Sequence, residues 1–158
     1  MIITKIETQK NKERVNIYLD GKFAFSISTE IKYKYNLKEN MEIQEDFINK
    51  ILMEEEQLRA NNYALSYLSY RSRSKKEIVD KLKEKGFEDW IIQNCLDYLE
   101  GYGYVNDREF AKAFMRDKIN MNKYGPQRIR YELYKKGISK EIIDKVLNED
   151  DMEYERAL

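Results

Sequence analysis

Basic and aromatic side chains gather at two places in this sequence, where together they suit contact with a polyanion. Guanidinium and ammonium groups bind phosphates, and tyrosine rings give flat surfaces on which nucleic-acid bases stack. The first cluster consists of Tyr67, Tyr70, Arg71, Arg73, Lys75 and Lys76. The second cluster consists of Lys123, Tyr124, Arg128, Arg130 and Tyr131. The alternative is a pair of solvated helix corners whose tyrosines pack on neighbouring helices, and the sequence leaves both interpretations open.

The side chains that most enzymes need are scarce. The chain has no histidine, which removes the commonest general base, triad member and metal ligand. Its 6 glycines fall at predicted turns and helix ends, so there is no glycine-rich phosphate loop. The single cysteine, Cys95, occupies an apolar helix position, which favours a core role over a nucleophile. We therefore predict no enzymatic activity, no cofactor and no metal site.

A repeated segment positions the two clusters. Residues 74–96 align with residues 125–147 at a spacing of 51, and apolar residues meet apolar residues throughout. A repeat of this kind is one supersecondary unit copied, and such units stack to share a core. The matched pairs include Ile78 and Ile129, Leu82 and Leu133, Gly86 and Gly137, and Cys95 and Val146.

Capping signals divide each repeat into three helices. Ser74 with Glu77 forms a capping box, Gly86 and Gly137 end helices, and Pro126 suits a first helical position. The predicted helices span about residues 57–72, 75–85, 89–100, 107–122, 126–136 and 140–148. On the helix over 107–122, Phe110, Phe114 and Ile119 are predicted to point inward. We predict a three-helix repeat over residues 57–105, a second over 106–149, and a tail, 150–158, that begins a third repeat cut short.

Residues 1–53 are predicted to form a β-rich region with short helices. Two alternating apolar rows flank Asp20 and Gly21, which are typical of a hairpin turn. A two-residue loop would place the rows on opposite faces, whereas a three-residue loop or a bulge would align them, and we favour the three-residue loop. Residues 2–8 supply a third strand. Glu54 to Glu56 are interpreted as a solvated joint or a solvated helix face.

Charge alternates along the repeats, although the formal net charge of the chain is zero. Residues 59–85 carry 8 basic and 3 acidic side chains, and residues 108–136 carry 9 and 3. Residues 86–107 hold 5 acidic side chains before the next basic residue, and residues 137–158 hold 7 acidic and 3 basic. Basic helices on one side of a stack would let that side meet a polyanion or an acidic protein surface.

Composition limits where the protein works. No apolar run approaches the roughly 20 residues of a membrane span, and the N-terminus lacks the basic and then apolar pattern of a signal sequence. One cysteine in 158 residues rules out an internal disulfide framework. We predict a cytoplasmic, monomeric protein without membrane contact.

Over residues 60–148 the chain resembles the RecX family, the regulators of RecA recombinase. Each matching segment is short, but their order and spacing together are specific. The segments are Ala64-Leu65 to Leu68, Arg71-Ser72-Arg73-Ser74, Glu77, Leu82, Lys85-Gly86-Phe87, Gly103-Tyr104-Val105-Asn106-Asp107, Phe110-Ala111, Gly125-Pro126, Ile129, Glu132-Leu133 and Lys136-Gly137-Ile138.

The resemblance implies tandem three-helix repeats that dock in the groove of the RecA–DNA filament. It also implies inhibition of RecA's ATP hydrolysis, strand exchange and co-protease activity, with roles in DNA recombination, DNA repair and the SOS response. The expected partners are the RecA filament and, as in some members, DNA directly. Two alternatives stay open: a stand-alone DNA-binding helical module, and an adaptor for another protein.

Overall fold

The structure is a computed structural model that describes the backbone of residues 1–157 and the side chains of residues 1–149. It divides into two compact units, Met1–Arg59 and the residues from Ala60 onward. The first unit contains a small antiparallel sheet, and the second is built of helices. The predicted class, mostly α with a β-rich N-terminal region and three-helix repeats, is confirmed.

The elements follow the chain in the predicted order. The strands are β1 (Ile3–Thr8), β2 (Arg14–Leu19) and β3 (Lys22–Ser28). The first two helices are α1 (Thr29–Lys34) and α2 (Glu45–Tyr70). The remaining helices are α3 (Lys75–Glu84), α4 (Asp89–Gly101), α5 (Asp107–Met121), α6 (Pro126–Lys135) and α7 (Lys140–Ala157).

The hairpin between β2 and β3 has a two-residue turn, so the predicted three-residue loop is wrong. Leu19 pairs with Lys22, and the residues between them, Asp20 and Gly21, have φ values of 50° and 85°. Two consecutive positive φ angles match the turn whose twist suits a two-residue hairpin, and aspartate followed by glycine accepts that geometry.

A bulge, the second predicted possibility, aligns the apolar rows instead. The register between β2 and β3 shifts after Ile17, so that Ile17 lies opposite Phe25 while Val15 lies opposite Ile27. The extra residue on β3 restores the shared face that the two-residue turn alone would have broken. With β1 on the other side of β2, the sheet order is β1-β2-β3, and its inner face covers a core. That core contains Ile3, Val15, Ile17, Ile27, Ile31, Leu37, Ile43, Ile48 and Ile51.

Helix α2 runs without interruption through Glu54 to Glu56, where a solvated joint was predicted. Glu55 is buried, and its carboxylate accepts hydrogen bonds from Arg14 Nη1 at 2.7 Å and from the backbone N–H of Ser28 at 3.0 Å. Glu54 accepts from Lys34 Nζ at 2.9 Å and from the Tyr35 hydroxyl. The carboxylates therefore tie α2 to the strands and to α1, an arrangement that requires tertiary contacts and is invisible in local sequence.

Replacing Glu55 with alanine is expected to lower the free energy of unfolding by about 1–3 kcal/mol, because the Ser28 N–H and Arg14 lose their acceptor. Glu56→Ala is the control, since Glu56 forms an exposed pair of helical spacing with Arg59, and losing it should cost under about 0.5 kcal/mol. Urea unfolding followed by circular dichroism measures both. Equal costs for the two variants would contradict the role given to Glu55.

Each three-helix repeat has its own core, and the two cores use matched positions. Ile78 and Ile129 are 0% and 1% exposed, and Leu82 and Leu133 are 1% and 0% exposed. The first core contains Ala60, Ala64, Ile78, Leu82, Phe87, Ile91, Ile92, Cys95, Leu96, Leu99 and Val105. The second contains Phe110, Ala111, Met115, Ile129, Leu133, Ile138, Ile143 and Val146. The 51-residue repeat in the sequence is therefore a repeat of structure.

One predicted helix face and one predicted helix end differ from the structure. Ile119, predicted to point inward, is 39% exposed, and Met115 is the buried residue on that part of α5. The reason is geometric, because Met115 lies four residues after Ala111 on the buried face of α5, whereas Ile119 is in the last turn before the helix ends at Met121. Helix α7, predicted to end near residue 148, continues to Ala157, and the tail's final residue, 158, lies outside the described residues.

The two repeats are joined at the start of α3. Ser74, which caps α3 in the predicted capping box, also donates from Oγ to the backbone carbonyl of Lys136 at 2.8 Å. The Lys75 N–H donates to Asp107 Oδ1 at 2.9 Å, and Lys75 Nζ lies 3.0 Å from Glu100. The hydrogen bonds of Ser74 and of the Lys75 N–H thus fix one repeat on the other, while the ion pair with Glu100 holds the Lys75 side chain within the first repeat.

Candidate partner-binding surface

In the first basic cluster, Arg71 and Arg73 are held by neighbours in quite different ways. The Arg73 guanidinium lies 3.8 Å from the centre of the Tyr67 ring, and its Nε donates to the Tyr67 carbonyl at 3.3 Å. Arg71 instead forms a two-pronged ion pair with Glu77, with the shorter contact at 2.5 Å. Among the residues whose side chains the structure describes, Arg73 therefore has no carboxylate partner, whereas the charge of Arg71 is partly neutralised.

Glu77 stays ionised beside this cluster. Burial alone would raise the pKa of its carboxyl, but hydrogen bonds from Arg71 and from the Ser74 backbone N–H, with the charge of Lys136, hold the pKa below its usual value. The same carboxylate closes the capping box of α3. Glu77 therefore both caps α3 and binds the Arg71 guanidinium, and this fixes the position of Arg71 beside the start of α3.

Lys75 and Lys76 belong to the joint between the repeats more than to the free corner. Lys75 is engaged by Asp107 and Glu100, as described above. The side chain of Lys76 passes over Gly137, and its Nζ lies 3.6 Å from Asp80. In contrast, Tyr70 is 82% exposed, and its ring is available beside Arg71.

The second cluster also divides. Arg128 lies 3.7 Å from the centre of the Tyr124 ring, and Lys123 precedes it in a left-handed conformation with φ of 55°. Arg130 is turned away to an ion pair with Asp144 on α7. The structure therefore groups Lys123, Tyr124 and Arg128 but separates Arg130 from them.

The two clusters carry the same cation–ring contact with its partners exchanged. At the repeat spacing of 51, Tyr67 corresponds to Lys118 and Arg73 corresponds to Tyr124. The Lys118 ammonium lies 5.5 Å from the centre of the Tyr124 ring. In both repeats a contact between a cation and a ring joins the end of a helix to the loop that follows it. The ring lies on the helix in the first repeat and in the loop in the second.

Sequence reasoning missed Phe114, Lys118 and Lys136. Both ammonium groups lie over the Phe114 ring, at 5.4 Å for Lys118 and 5.7 Å for Lys136. Extending the repeat alignment upstream to Lys118 would have flagged one of them, whereas Lys136 sits beside Gly137 and reads as an ordinary basic helix end.

These residues and Arg71 line one pocket of about 330 Å³ between the repeats. Its main lining residues are Arg71, Phe110, Phe114, Asp117, Lys118 and Lys136. Three of the six are basic and one is acidic, so the pocket attracts anions. The first cluster and the second repeat therefore meet at a single cationic cavity.

The described residues offer little for catalysis. Cys95 is buried among apolar residues, and burial raises the pKa of its thiol to about 11, which leaves it protonated and unreactive at neutral pH. Among the described residues no group of three or more histidine, cysteine, aspartate or glutamate side chains is placed to hold a metal ion. None of the described helices is both long and apolar enough to cross a membrane.

Three family models match the chain, and together they cover most of it. The "Regulatory protein RecX N-terminal domain" matches residues 1–44. The "RecX, first three-helix domain" matches residues 60–99, and the "RecX, second three-helix domain" matches residues 106–147. The two helical matches fall on the two repeats described above.

Curated relatives of similar sequence carry the same name. The "Regulatory protein RecX" of Clostridioides difficile is 41% identical over 160 residues, which cover 99% of this chain and 75% of the relative. The "Regulatory protein RecX" of Clostridium beijerinckii is 42% identical over 155 residues, covering 98% of this chain and 72% of the relative.

Solved structures agree with these matches. A crystal structure of a regulatory protein RecX superposes with a TM-score of 0.77 at 37% identity, covering 94% of this chain and 73% of the other. RecX from Lactobacillus salivarius superposes with a TM-score of 0.57 at 33% identity, covering 58% of this chain and 60% of the other. By sequence, by domain order and by fold, the chain belongs to the RecX family of regulatory proteins.

Proposed function

We propose that the chain is a non-catalytic regulator that binds the groove of the RecA–DNA filament and inhibits RecA. The RecA activities that it inhibits are ATP hydrolysis, strand exchange and co-protease function. Through them the chain acts in recombination, DNA repair and the SOS response, and it does so in the cytoplasm. Membership of the RecX family supports this proposal, because three RecX domain models match the chain in order. The pairing of duplicated modules with cationic surfaces supports the choice of a repetitive, anionic assembly as target.

The joint between the repeats is the observation that carries the mechanism. Ser74, Lys75 and Asp107 hold the two repeats by direct hydrogen bonds. Two binding units at a fixed separation gain affinity on a periodic target, since the second contact forms at a high effective concentration. A bridge of this kind across neighbouring RecA protomers would resist the movements that accompany ATP turnover.

The second candidate is a stand-alone DNA-binding module without a RecA requirement. Cations that lie on aromatic rings rather than on carboxylates favour it, as with Arg73 on Tyr67 and Arg128 on Tyr124. Such groups suit phosphate contact with base stacking. This candidate predicts tight binding to bare DNA that falls with salt at a slope of about −0.9 per phosphate contacted on duplex DNA.

Binding to filaments and to bare DNA separates the two candidates. Labelled chain is titrated with RecA filaments preformed on single-stranded DNA, and with the same DNA alone, at several salt concentrations. The regulator predicts tight binding to filaments and weak binding to DNA at physiological salt. Equal affinity for both targets would favour the stand-alone module, and the absence of both interactions would leave the adaptor.

Reversing two charges in the first cluster is expected to weaken filament binding without unfolding the chain. Arg71→Glu with Arg73→Glu should raise the Kd by about tenfold or more, as expected when two charged contacts of over roughly 0.5 kcal/mol each become repulsive. The loss of the Arg71 pair with the mostly buried Glu77 should cost about 1–3 kcal/mol of stability, which lowers the melting temperature without abolishing the transition.

The matched control is Lys83→Glu with Lys145→Glu, which changes the net charge equally at exposed positions of the same unit. Binding is measured by fluorescence anisotropy and stability by thermal melting. If the cluster variant loses its melting transition, the two arginines are structural, and the assignment of a binding role is lost.

A further inference from the structure

The pocket between the repeats holds two cations that lack a carboxylate partner. Among the described residues no aspartate or glutamate lies within ion-pair distance of Lys118 Nζ or Lys136 Nζ, although most lysines of the neighbouring helices have such a partner. Both ammonium groups instead lie near one ring, at 5.4 and 5.7 Å from the centre of Phe114. A cation–ring contact at a solvated site is worth only about 0.5–1 kcal/mol, so an anion that reaches both lysines can replace it.

The charges around the pocket leave room for one anionic group. Arg71 lines the pocket but is already paired with Glu77 at its other side. Asp117 also lines the pocket and opposes an incoming anion. With these two carboxylates set against Arg71, Lys118 and Lys136, one positive charge is uncompensated, and the three basic residues that line the space come from separate segments of the chain.

The size and walls of the pocket point to more than a simple ion. Its volume of about 330 Å³ lies at the lower end of the range for small-molecule sites. Phe110 and Phe114, whose rings stack with centres 6.3 Å apart, form an apolar wall beside the cations. An anion with several acceptor oxygens and an attached ring system fits this combination, because it engages the donors and covers the apolar wall together.

We propose that this pocket binds the phosphate of a nucleotide, with Lys118, Lys136 and Arg71 as its ligands and Phe114 as the wall against which the nucleoside lies. The phosphate belongs either to a free mononucleotide or to a unit within a single-stranded DNA. The inference concerns the chain by itself and needs no RecA, so its failure is distinguishable from the failure of the regulator proposal.

Titration of the full chain with four probes tests the assignment: dTMP, thymidine, a short oligothymidylate with hydroxyl ends, and a peptide of glutamate residues. Binding of dTMP without binding of thymidine is expected if the site takes a free nucleotide. Tighter binding of the oligothymidylate than of dTMP is expected if it takes a strand. Binding of neither phosphate-bearing probe, or equal binding of the acidic peptide, would overturn the proposal.

Variants locate the binding in the pocket. Lys118→Gln with Lys136→Gln should weaken the probe that binds by about tenfold. For a single strand it should reduce the salt slope by about 0.7, since the two lysines contact one phosphate and each neutralised phosphate contributes about 0.7. Asp117→Asn should strengthen binding severalfold, an increase that general damage to the fold would not produce. Lys83→Gln with Lys145→Gln, which removes equal charge elsewhere, should leave affinity within twofold of the unaltered chain. Unchanged affinity in the lysine variant, or weaker binding with Asp117→Asn, would overturn the site.

Discussion

Leu82→Ala and Leu133→Ala are each expected to lower the free energy of unfolding of the helical unit by about 2–5 kcal/mol. The two side chains are 1% and 0% exposed and lie at matched positions in the two repeat cores. Truncation removes three buried carbons and leaves a cavity that the surrounding helices fill only in part. Similar costs are expected because both positions have the same neighbours in kind, namely the apolar faces of the other two helices of their repeat.

Chemical unfolding followed by circular dichroism measures both variants, and Lys83→Ala on the exposed face of α3 is the control. Lys83→Ala should change the free energy of unfolding by under about 0.5 kcal/mol. A cost below that figure for either leucine would show that its helix face has been assigned wrongly. A large cost for Leu82 with a small one for Leu133 would show that the repeats are not equivalent in packing.

Gly137→Ala is expected to destabilise the chain considerably more than Gly86→Ala. The two glycines end α6 and α3 with nearly equal φ values, 82° and 88°. Any L-residue in this left-handed conformation costs about 1–2 kcal/mol, so both variants share that cost. A Cβ at Gly137 would lie 2.4 Å from Lys76 Cβ, whereas a Cβ at Gly86 meets nothing within 4 Å.

The difference between these two variants therefore measures the close approach of the repeats. The overlap should add about 1–3 kcal/mol to the cost of Gly137→Ala, because Lys76 Cβ is fixed to the first turn of α3 and cannot swing away. Adding Lys76→Gly should restore part of that loss, which a double-mutant cycle detects as a favourable coupling. Equal costs for the two glycine variants, or no coupling with Lys76, would mean that the repeats do not touch at this point.

The helices of the repeats were predictable because residues close to each helix end specify where the helix begins or stops. Ser74 with Glu77 begins α3, Pro126 begins α6, and Gly86 and Gly137 supply the left-handed residues that end helices. The shared apolar pattern then assigns the buried faces, and the sequence repeat checks each assignment against the other. These features depend on short-range geometry, so no tertiary information was needed to find them.

What the sequence left open depends on contacts between distant residues. The burial of Glu55 within α2 depends on Arg14 and Ser28, which are far away along the chain. The turn between β2 and β3 needed a bulge whose position is set by packing. The predicted domain boundaries, including a tail that begins a further repeat, stay a prediction.

For the same reason, only part of the candidate surface could be predicted from the sequence. Local clustering identified Arg71, Arg73 and Tyr67 but could not separate cations with carboxylate partners from those without. Arg130 pairs with Asp144, and Lys75 pairs with Glu100 while its backbone N–H joins the repeats through Asp107. Lys136 enters the surface only because Ser74 binds its carbonyl and brings the second repeat to the first cluster. The sequence shows which residues are charged, but the fold decides which of those charges already have a carboxylate partner.

The DNA-dependent ATPase activity of RecA, measured while the full chain is titrated in, tests the central claim most directly. The account predicts progressive inhibition that saturates below one chain per RecA protomer, because each bound chain is proposed to bridge neighbouring protomers. The Arg71→Glu, Arg73→Glu variant should need at least about tenfold more protein for the same inhibition. An ATPase rate that stays unchanged at saturating chain would contradict the account.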